Sequence, residues 1–227
     1  MGEIKVIGLG PGRPGLITRE AWNLMENAEH LVLRTAIHPT VEAIRTAGFA
    51  FGTYDEFYES APDFGALYEA IARDLIHRAA GGENIVYAVP GSPLVAEHTV
   101  VLLRELAADR DDVELTIYPG MSFAEVLLTR LGLDPIEGVT LLDASDLPKL
   151  TAAPFSHLIV TQIYDSFIAS DAKLALMELF SDDYPVTLTH ALGTAEEVVR
   201  EIPLYELDRQ KEIDHLTSLF VPARREK

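Results

Sequence analysis

No cysteine occurs in this chain of 227 residues. Its absence excludes disulfides and thiolate metal sites and fits a cytoplasmic protein. Long hydrophobic runs are missing too: none approaches the roughly 20 apolar residues of a membrane span. The N-terminal MGEIKVIGLG lacks the basic, apolar and small-residue layout of a signal peptide. Positive charge is scarce, with 18 Lys and Arg against 36 Asp and Glu, a formal net charge of −18. Such a surface repels phosphate backbones, and the only basic cluster is the terminal ARREK, so neither a nucleic-acid nor a membrane partner is expected. The 7 histidines are scattered without an H-x-x-x-H pair, so no metal site is expected either.

What is present is a chain that is 48% hydrophobic, ample for a packed core. IKVIGL (4–9) and HLVLR (30–34) are strand-like. Between them TREAWNLMENAEH sets Ala21, Leu24, Met25 and Ala28 at helical spacing, with Thr18 as N-cap. TVEAIRTAG reads as a helix closed by Gly48, and a longer amphipathic helix runs from Phe64 through Leu67, Tyr68, Ile71 and Leu75. The strand NIVYAV, the helix AEHTVVLLRELAA and the strand VELTIYPG continue an alternation that implies parallel βαβ units. Beyond Pro119-Gly120 the pattern is mixed. GVTLLDA, HLIVTQI, YPVTLTHAL, EEVVREIPL and LTSLFVP are strand-like, while SFAEVLLTRLG and DAKLALMELF are helical. Short turns between the last three strands predict antiparallel pairing there. The expected fold is α/β with two domains: a parallel, Rossmann-like sheet in residues 1–119 and a mixed sheet in 120–227.

Glycine and proline occupy five of the six positions from Gly10 to Gly15, directly after the first strand. The run satisfies G-x-G-x-x-G, and an NADP-binding reading would use Arg34 at the end of the second strand to meet a 2′-phosphate. Against it, Pro11 and Pro14 remove two N–H donors from the loop that should cradle phosphate. VYAVPGSPLVAEHT (86–99) and IYPGMSFAE (117–125) are two further strand–bend–helix junctions. In a parallel sheet all three bends emerge at the carboxyl edge, where their bare main chain can reach an adenosine-like ligand.

In the order and spacing of these motifs, from VIGLGPGRPGLIT through VPGSPLVAEHT and YPGMSFAE to ALGTAEEVVREIPLYEL, the chain resembles the tetrapyrrole (corrin/porphyrin) methylases, the class III S-adenosylmethionine-dependent methyltransferases. LRTAIHPTVE, DPIEGVTLLDAS and DDYPVT are similar to the methylase-like N-terminal domains of bacterial proteins that carry a MazG-type nucleotide pyrophosphohydrolase. The EExxE…ExxD helix pair of that second domain is not found here. The resemblance implies two α/β domains with S-adenosyl-L-methionine in the cleft between them, and a homodimer. Carried over by position, donor contacts fall on Leu9, Gly10 and Pro11, on Gly91, Ser92 and Val95, and on Ser122 and Phe123. Gln162, Ile163, Leu192, Gly193, Ser218 and Leu219 complete the set, Ile163 and Leu219 being equally readable as core. Many relatives have Asp where this chain has Arg13, and G-D-P where it has Gly91-Ser92-Pro93, which implies a different substrate rather than lost donor binding.

Methyl transfer from a sulfonium requires mainly alignment, because the electrophile is already activated. A carbon nucleophile needs little base, whereas an amide nitrogen needs a base or a tyrosinate. For the acceptor side, TYDEFYESAPDFGALYEAI offers Tyr54, Tyr58, Tyr68, Asp55 and Glu56 as an aromatic, acidic wall, with Tyr58, Tyr68 and Arg13 the residues to watch for catalysis. Family members that methylate peptide backbone nitrogens carry tyrosines in a corresponding stretch and an arginine nearby, for which Asp63 and its neighbours give no match. Basic residues near the sheet edge reduce to Arg13, Arg34, His38 and His98, a thin set for a polycarboxylate. Three readings stay open: a methyltransferase acting on a small-molecule or peptide acceptor, a donor-sensing module for a MazG-type hydrolase, and an NADP oxidoreductase.

Overall fold

In the computed structural model, residues 1–224 are described; Arg225, Glu226 and Lys227 of the basic tail lie outside the described residues. Strand β1 (Gly2–Gly8) carries apolar residues on both faces: Ile4 and Val6 enter one core, Ile7 the other. That is the pattern of a parallel strand covered by helices on both sides. Strands β2 (His30–Leu33), β3 (Gly52–Thr53), β4 (Asn84–Val89) and β5 (Val113–Ile117) join it in the order β3-β2-β4-β1-β5, all parallel. Helices α4 (Phe64–Ala80) and α5 (His98–Ala107) cover one face through Leu67, Ile71, Leu75 and Leu103. On the other, α1 (Arg19–Glu26) and α2 (Val41–Thr46) contribute Ala21, Met25, Val41 and Ile44. The Thr18 hydroxyl caps α1 by accepting the Ala21 N–H at 3.1 Å, as the sequence predicts. A short helix α3 (Asp55–Ser60), which periodicity does not reveal, links β3 to α4.

The chain forms two compact units, Met1–Phe123 and Ala124–Lys227, so the third bend falls wholly in the first. All but the first residue of helix α6 (Phe123–Leu131) belong to the second unit. Its sheet comprises β6 (Val139–Asp143), β7 (His157–Thr161), β8 (Pro185–His190), β9 (Val198–Pro203) and β10 (Thr217–Val221), in the order β6-β7-β10-β8-β9. Only β6 and β7 pair in parallel; the other neighbours are antiparallel. The antiparallel pairing predicted for the last three strands is present, β8 pairing with both β9 and β10, whereas β9 and β10 do not pair with each other. Strand β10 is buried at every position and inserts between β7 and β8, while β9, with Arg200 and Glu201 exposed, stays at the edge. Helix α7 (Ser166–Met177) covers this core through Ala169, Ala172 and Leu176. Among the described residues, no helix is long and apolar enough to cross a membrane.

Candidate functional site

Because every strand of the first sheet is parallel, the segments after β1, β2, β4 and β5 leave at one edge. Gly10 and Gly91 exchange main-chain hydrogen bonds there: the Gly10 N–H donates to the Gly91 carbonyl at 3.1 Å, and the Gly91 N–H to the Gly10 carbonyl at 3.0 Å. Both have positive φ, 71° and 68°. A Cβ on Gly10 would lie 2.6 Å from the Leu16 carbonyl oxygen, so this bend tolerates no side chain. Gly8 sits equally close to the second bend, its Cβ position being 2.3 Å from the Gly91 carbonyl oxygen. The third bend joins them: a Cβ on Gly120 would meet Pro93 Cδ at 2.9 Å and Ser92 Cα at 3.2 Å. All three bends therefore share one rim, and at Gly91 the space a side chain would occupy is open.

Of the residues assigned to this rim by resemblance, Gly10, Pro11, Gly91, Ser92 and Val95 lie on the first two bends, and Ser122 and Phe123 follow the third. Ser122 is buried and Phe123 half-buried, while Leu9 is wholly enclosed in the core and can offer a ligand only its main chain. Residues from the second unit gather at an edge of their own sheet. Gln162 and Ile163 follow β7, Leu192 and Gly193 follow β8, and Ser218 is the second residue of β10, which pairs with β8. Gln162 and Gly193 have positive φ, 63° and 83°. The side chains of Ile163 and Leu219 are core, with no exposure, so these two residues, like Leu9, can offer a ligand only their main chain.

Beside the first rim lies a polar cluster that local sequence does not reveal. Arg34, at the end of β2, donates from Nη1 to Glu97 Oε2 at 2.7 Å. Glu97 is the N-cap of α5 and its side chain is 2% exposed, against 19% for Arg34. Burial pushes the Glu97 carboxyl up, opposed by the Arg34 guanidinium and the bonds from Thr99. Arg34 Nε, Tyr87 Oη and Thr99 Oγ1 are buried and close no hydrogen bond of normal geometry, although the Thr99 hydroxyl is near enough to both Glu97 and Tyr87 to lower the pKa of each. An NADP reading needs Arg34 free for a 2′-phosphate; here its charge is already matched.

His38 Nδ1 accepts the Thr40 N–H at 3.3 Å and lies 2.7 Å from the Thr40 hydroxyl. Its proton is thereby assigned to Nε2, which bonds the Gly10 backbone. Burial, reinforced by Arg34, pushes this imidazole down to about 4, so it is neutral at physiological pH and tethers the first bend.

The tyrosines divide. Tyr54 is core, 4% exposed, and its hydroxyl donates to Asp74 at 2.7 Å, so it does not belong to a substrate wall. Asp55 is engaged in accepting the Thr35 hydroxyl and the Ala36 N–H, at 2.6 and 2.9 Å, and Glu56 is solvated. Tyr58 is 36% exposed, and with Tyr68 it lies within electrostatic reach of Arg34. Burial pushes the Tyr58 phenol up against the pull of Arg34, which makes it a hydrogen-bond donor rather than a tyrosinate at neutral pH. Phe64 stacks on Tyr68, centroids 6.1 Å apart at 22°, and His98 meets Tyr68 edge-on at 6.0 Å. Asp63 caps α4 by accepting the Ala66 N–H at 2.8 Å. Arg13 is exposed ahead of a 3-10 turn, Pro14–Leu16. Among the described residues, no group of three metal-ligating side chains is assembled.

The family model for tetrapyrrole (corrin/porphyrin) methylases matches residues 3–208. The chain belongs to the tetrapyrrole methylase family. The uncharacterized protein YabN of Bacillus subtilis (strain 168) is 40% identical over 225 residues, an alignment covering 99% of this chain and 46% of YabN. The chain thus spans about half the length of that curated relative. A crystal structure of uroporphyrin-III-C-methyltransferase from Thermus thermophilus matches with a TM-score of 0.73 at 22% identity, covering 98% of this chain and 94% of that one. A structure of the Thermus enzyme complexed with S-adenosyl homocysteine matches at 0.69 and 20%, covering 97% and 92%. At these identities the likeness establishes the two-domain tetrapyrrole methylase fold. Within it, the Arg34–Glu97 pair is the feature that sequence reasoning missed: the partners stand 63 residues apart, and the only advance signal was that both flank strand ends of one parallel sheet.

Proposed function

We propose that this tetrapyrrole methylase family member is an S-adenosylmethionine-dependent methyltransferase. The observation that carries the reading is the meeting of three bare bends at one rim, with Gly10 and Gly91 locked by reciprocal hydrogen bonds. Main chain fixed in this way offers N–H and C=O groups to an adenosyl ligand at little entropic cost, since the bends are already ordered. The open position at Gly91 fits such a ligand. When bound, the donor supplies an activated methyl group, and the protein's task is alignment. His38 holds the first bend, and Tyr58 and Arg34 present hydrogen-bond donors beside it. Three side chains there are already committed: Tyr58 stays protonated at neutral pH, His38 is held by Thr40 and Gly10, and Glu97 is held by Arg34. The arrangement supports an acceptor that is nucleophilic without deprotonation, such as an electron-rich carbon of a tetrapyrrole-like or other small molecule, over a peptide amide nitrogen.

Calorimetric titration with S-adenosylmethionine and S-adenosylhomocysteine tests the reading. We expect saturable binding of one molecule per chain; absence of binding by folded protein overturns it. A second reading rests on the resemblance of LRTAIHPTVE, DPIEGVTLLDAS and DDYPVT to the methylase-like domains of MazG-carrying proteins: the chain binds donor and senses it for a MazG-type nucleotide pyrophosphohydrolase. Donor binding without methyl transfer to any acceptor, together with a donor-dependent change in such a hydrolase's rate, selects it. Homodimerisation, which family resemblance suggests, is supported by Ile136 and Phe155, 88% and 102% exposed ahead of β6 and β7, and is measured by light scattering.

A further inference from the structure

We propose that Arg34 and Glu97 form a charge-compensated subsite that accepts an uncharged carbonyl or amide group carried on a planar ring and turns carboxylates away. The subsite lies wholly in the first unit, and it rests on the methyltransferase reading only in assigning this ligand to the methyl acceptor. The guanidinium is anchored through a single bond, Nη1 to Glu97, and its Nε is buried without a partner. An ion pair left this incomplete is a poor way to stabilise a core, because desolvation is repaid only when the remaining donors are also satisfied. The side chain is nevertheless 19% exposed, so a ligand oxygen can reach the guanidinium.

Charge selects which oxygen. Both Glu97 oxygens are held, Oε2 by Arg34 and Oε1 by the Thr99 N–H at 3.3 Å, so the anion is fixed beside the cation it neutralises. A ligand carboxylate would put a second anion against one cation. His38 adds no positive charge at neutral pH, and Asp55 adds a further negative field at Tyr58. An uncharged oxygen accepts the guanidinium's hydrogen bond without that repulsion. Aromatic surface selects the rest of the ligand: Tyr58 is 36% and Phe64 60% exposed, and Phe64, Tyr68 and His98 form a contiguous row of rings. A flat ring bearing one carbonyl matches both elements.

Benzamide and benzoate, equal in shape and differing by one charge, are the probes. Their affinities are measured by NMR titration at moderate salt for the full chain and for Glu97→Gln, with S-adenosylhomocysteine binding measured on the same samples. We expect the unaltered protein to favour benzamide and Glu97→Gln to reverse the preference by about tenfold, the worth of one charge-assisted hydrogen bond. A preference unchanged in Glu97→Gln, or an unaltered protein favouring benzoate, overturns the proposal. Should Glu97→Gln fail to fold, the double variant Arg34→Gln/Glu97→Gln decides: benzamide affinity falls about fivefold if the guanidinium is the donor, and unchanged affinity overturns it. Loss of S-adenosylhomocysteine binding alone would defeat the methyltransferase reading, while the probe ratio still judges the subsite.

Discussion

At the end of β8 polar groups are matched: the Thr189 hydroxyl lies 2.7 Å from Ser218 Oγ, and His190 Nε2 is 3.1 Å from both carboxylate oxygens of Asp214. At the ends of β2 and β4 they are not. Of the four buried side-chain atoms that close no hydrogen bond of normal geometry among the described residues, three, Arg34 Nε, Tyr87 Oη and Thr99 Oγ1, lie around Glu97, the Thr99 hydroxyl being near enough to act on both Glu97 and Tyr87. The fourth, Asp208 Oδ1, belongs to a carboxylate whose other oxygen is held by Lys173 at 2.6 Å. The two sheets thus treat their edges differently. The mixed sheet closes these polar groups on one another, while the parallel sheet leaves Arg34 Nε unspent beside a rim of bare main chain. Unpaired buried groups are costly, and a fold that concentrates them at one edge has retained them for something other than stability.

The sharpest way to break this contrast is to remove one charge from each unit. Arg34→Met leaves Glu97 buried without its counter-ion and is expected to destabilise the protein by about 3–5 kcal/mol. Lys173→Met leaves Asp208, 22% exposed, with access to water, so a much smaller loss is expected. Urea denaturation of both variants reads the difference; equal losses would mean that the two edges are energetically alike. Adding Glu97→Gln to Arg34→Met should recover much of the first loss, since the cost lies in the orphaned carboxylate.

Gly8→Ala tests the rim by shape rather than charge. The new methyl would sit 2.3 Å from the Gly91 carbonyl oxygen, a backbone atom that moves only with the second bend. We expect a loss of about 3 kcal/mol together with weakened S-adenosylhomocysteine binding in calorimetry. A destabilised variant that binds as tightly as before would separate the rim's packing from its ligand.

His38 gives the contrast a pH dependence. Its imidazole is held down to about 4 in the fold, against an ordinary 6.5 when unfolded. Protons therefore bind the unfolded chain first: the contribution is complete above pH 6.5, erodes as pH falls towards 4, and changes no further below that. The full shift is worth at most about 3 kcal/mol. His38→Gln keeps a donor for the Gly10 carbonyl without titrating, so the difference in stability between it and the unaltered protein should vary with pH only inside this window.

How far these features were legible in the sequence follows from their range. Periodicity and capping are local, so the βα alternation and the Thr18 cap could be read directly. The three bends could be placed at one edge because parallel connectivity forces them there. Arg34 and Glu97 could not be paired, because no short-range pattern links the end of β2 to the cap of α5. Glu97 moreover reads as a helix-interior residue in AEHTVVLL, whereas α5 begins only at His98. Tyr54 was misread as surface because the short helix α3 that turns it inward, towards Tyr87 and Asp74, carries acidic residues and little periodicity. The insertion of β10 between β7 and β8 was not legible because sequence order favours pairing neighbours, although burial of all five of its residues suits a central position.

The smallest effect should confirm that the second unit can be perturbed without touching the first rim. Asp165 caps α7, its Oδ1 accepting the N–H groups of Phe167 and Ile168 at 2.8 and 2.9 Å. Asp165→Ala removes the acceptor of both bonds, and the two amides turn to water at an exposed helix start. A loss of about 1 kcal/mol is expected, read as a small drop in the urea midpoint at unchanged slope. Benzamide and benzoate should bind as in the unaltered protein, because neither Arg34 nor its aromatic neighbours belong to this unit. A changed probe ratio in Asp165→Ala would tie the subsite to the second core and remove the ground for treating the first sheet's edge as self-contained.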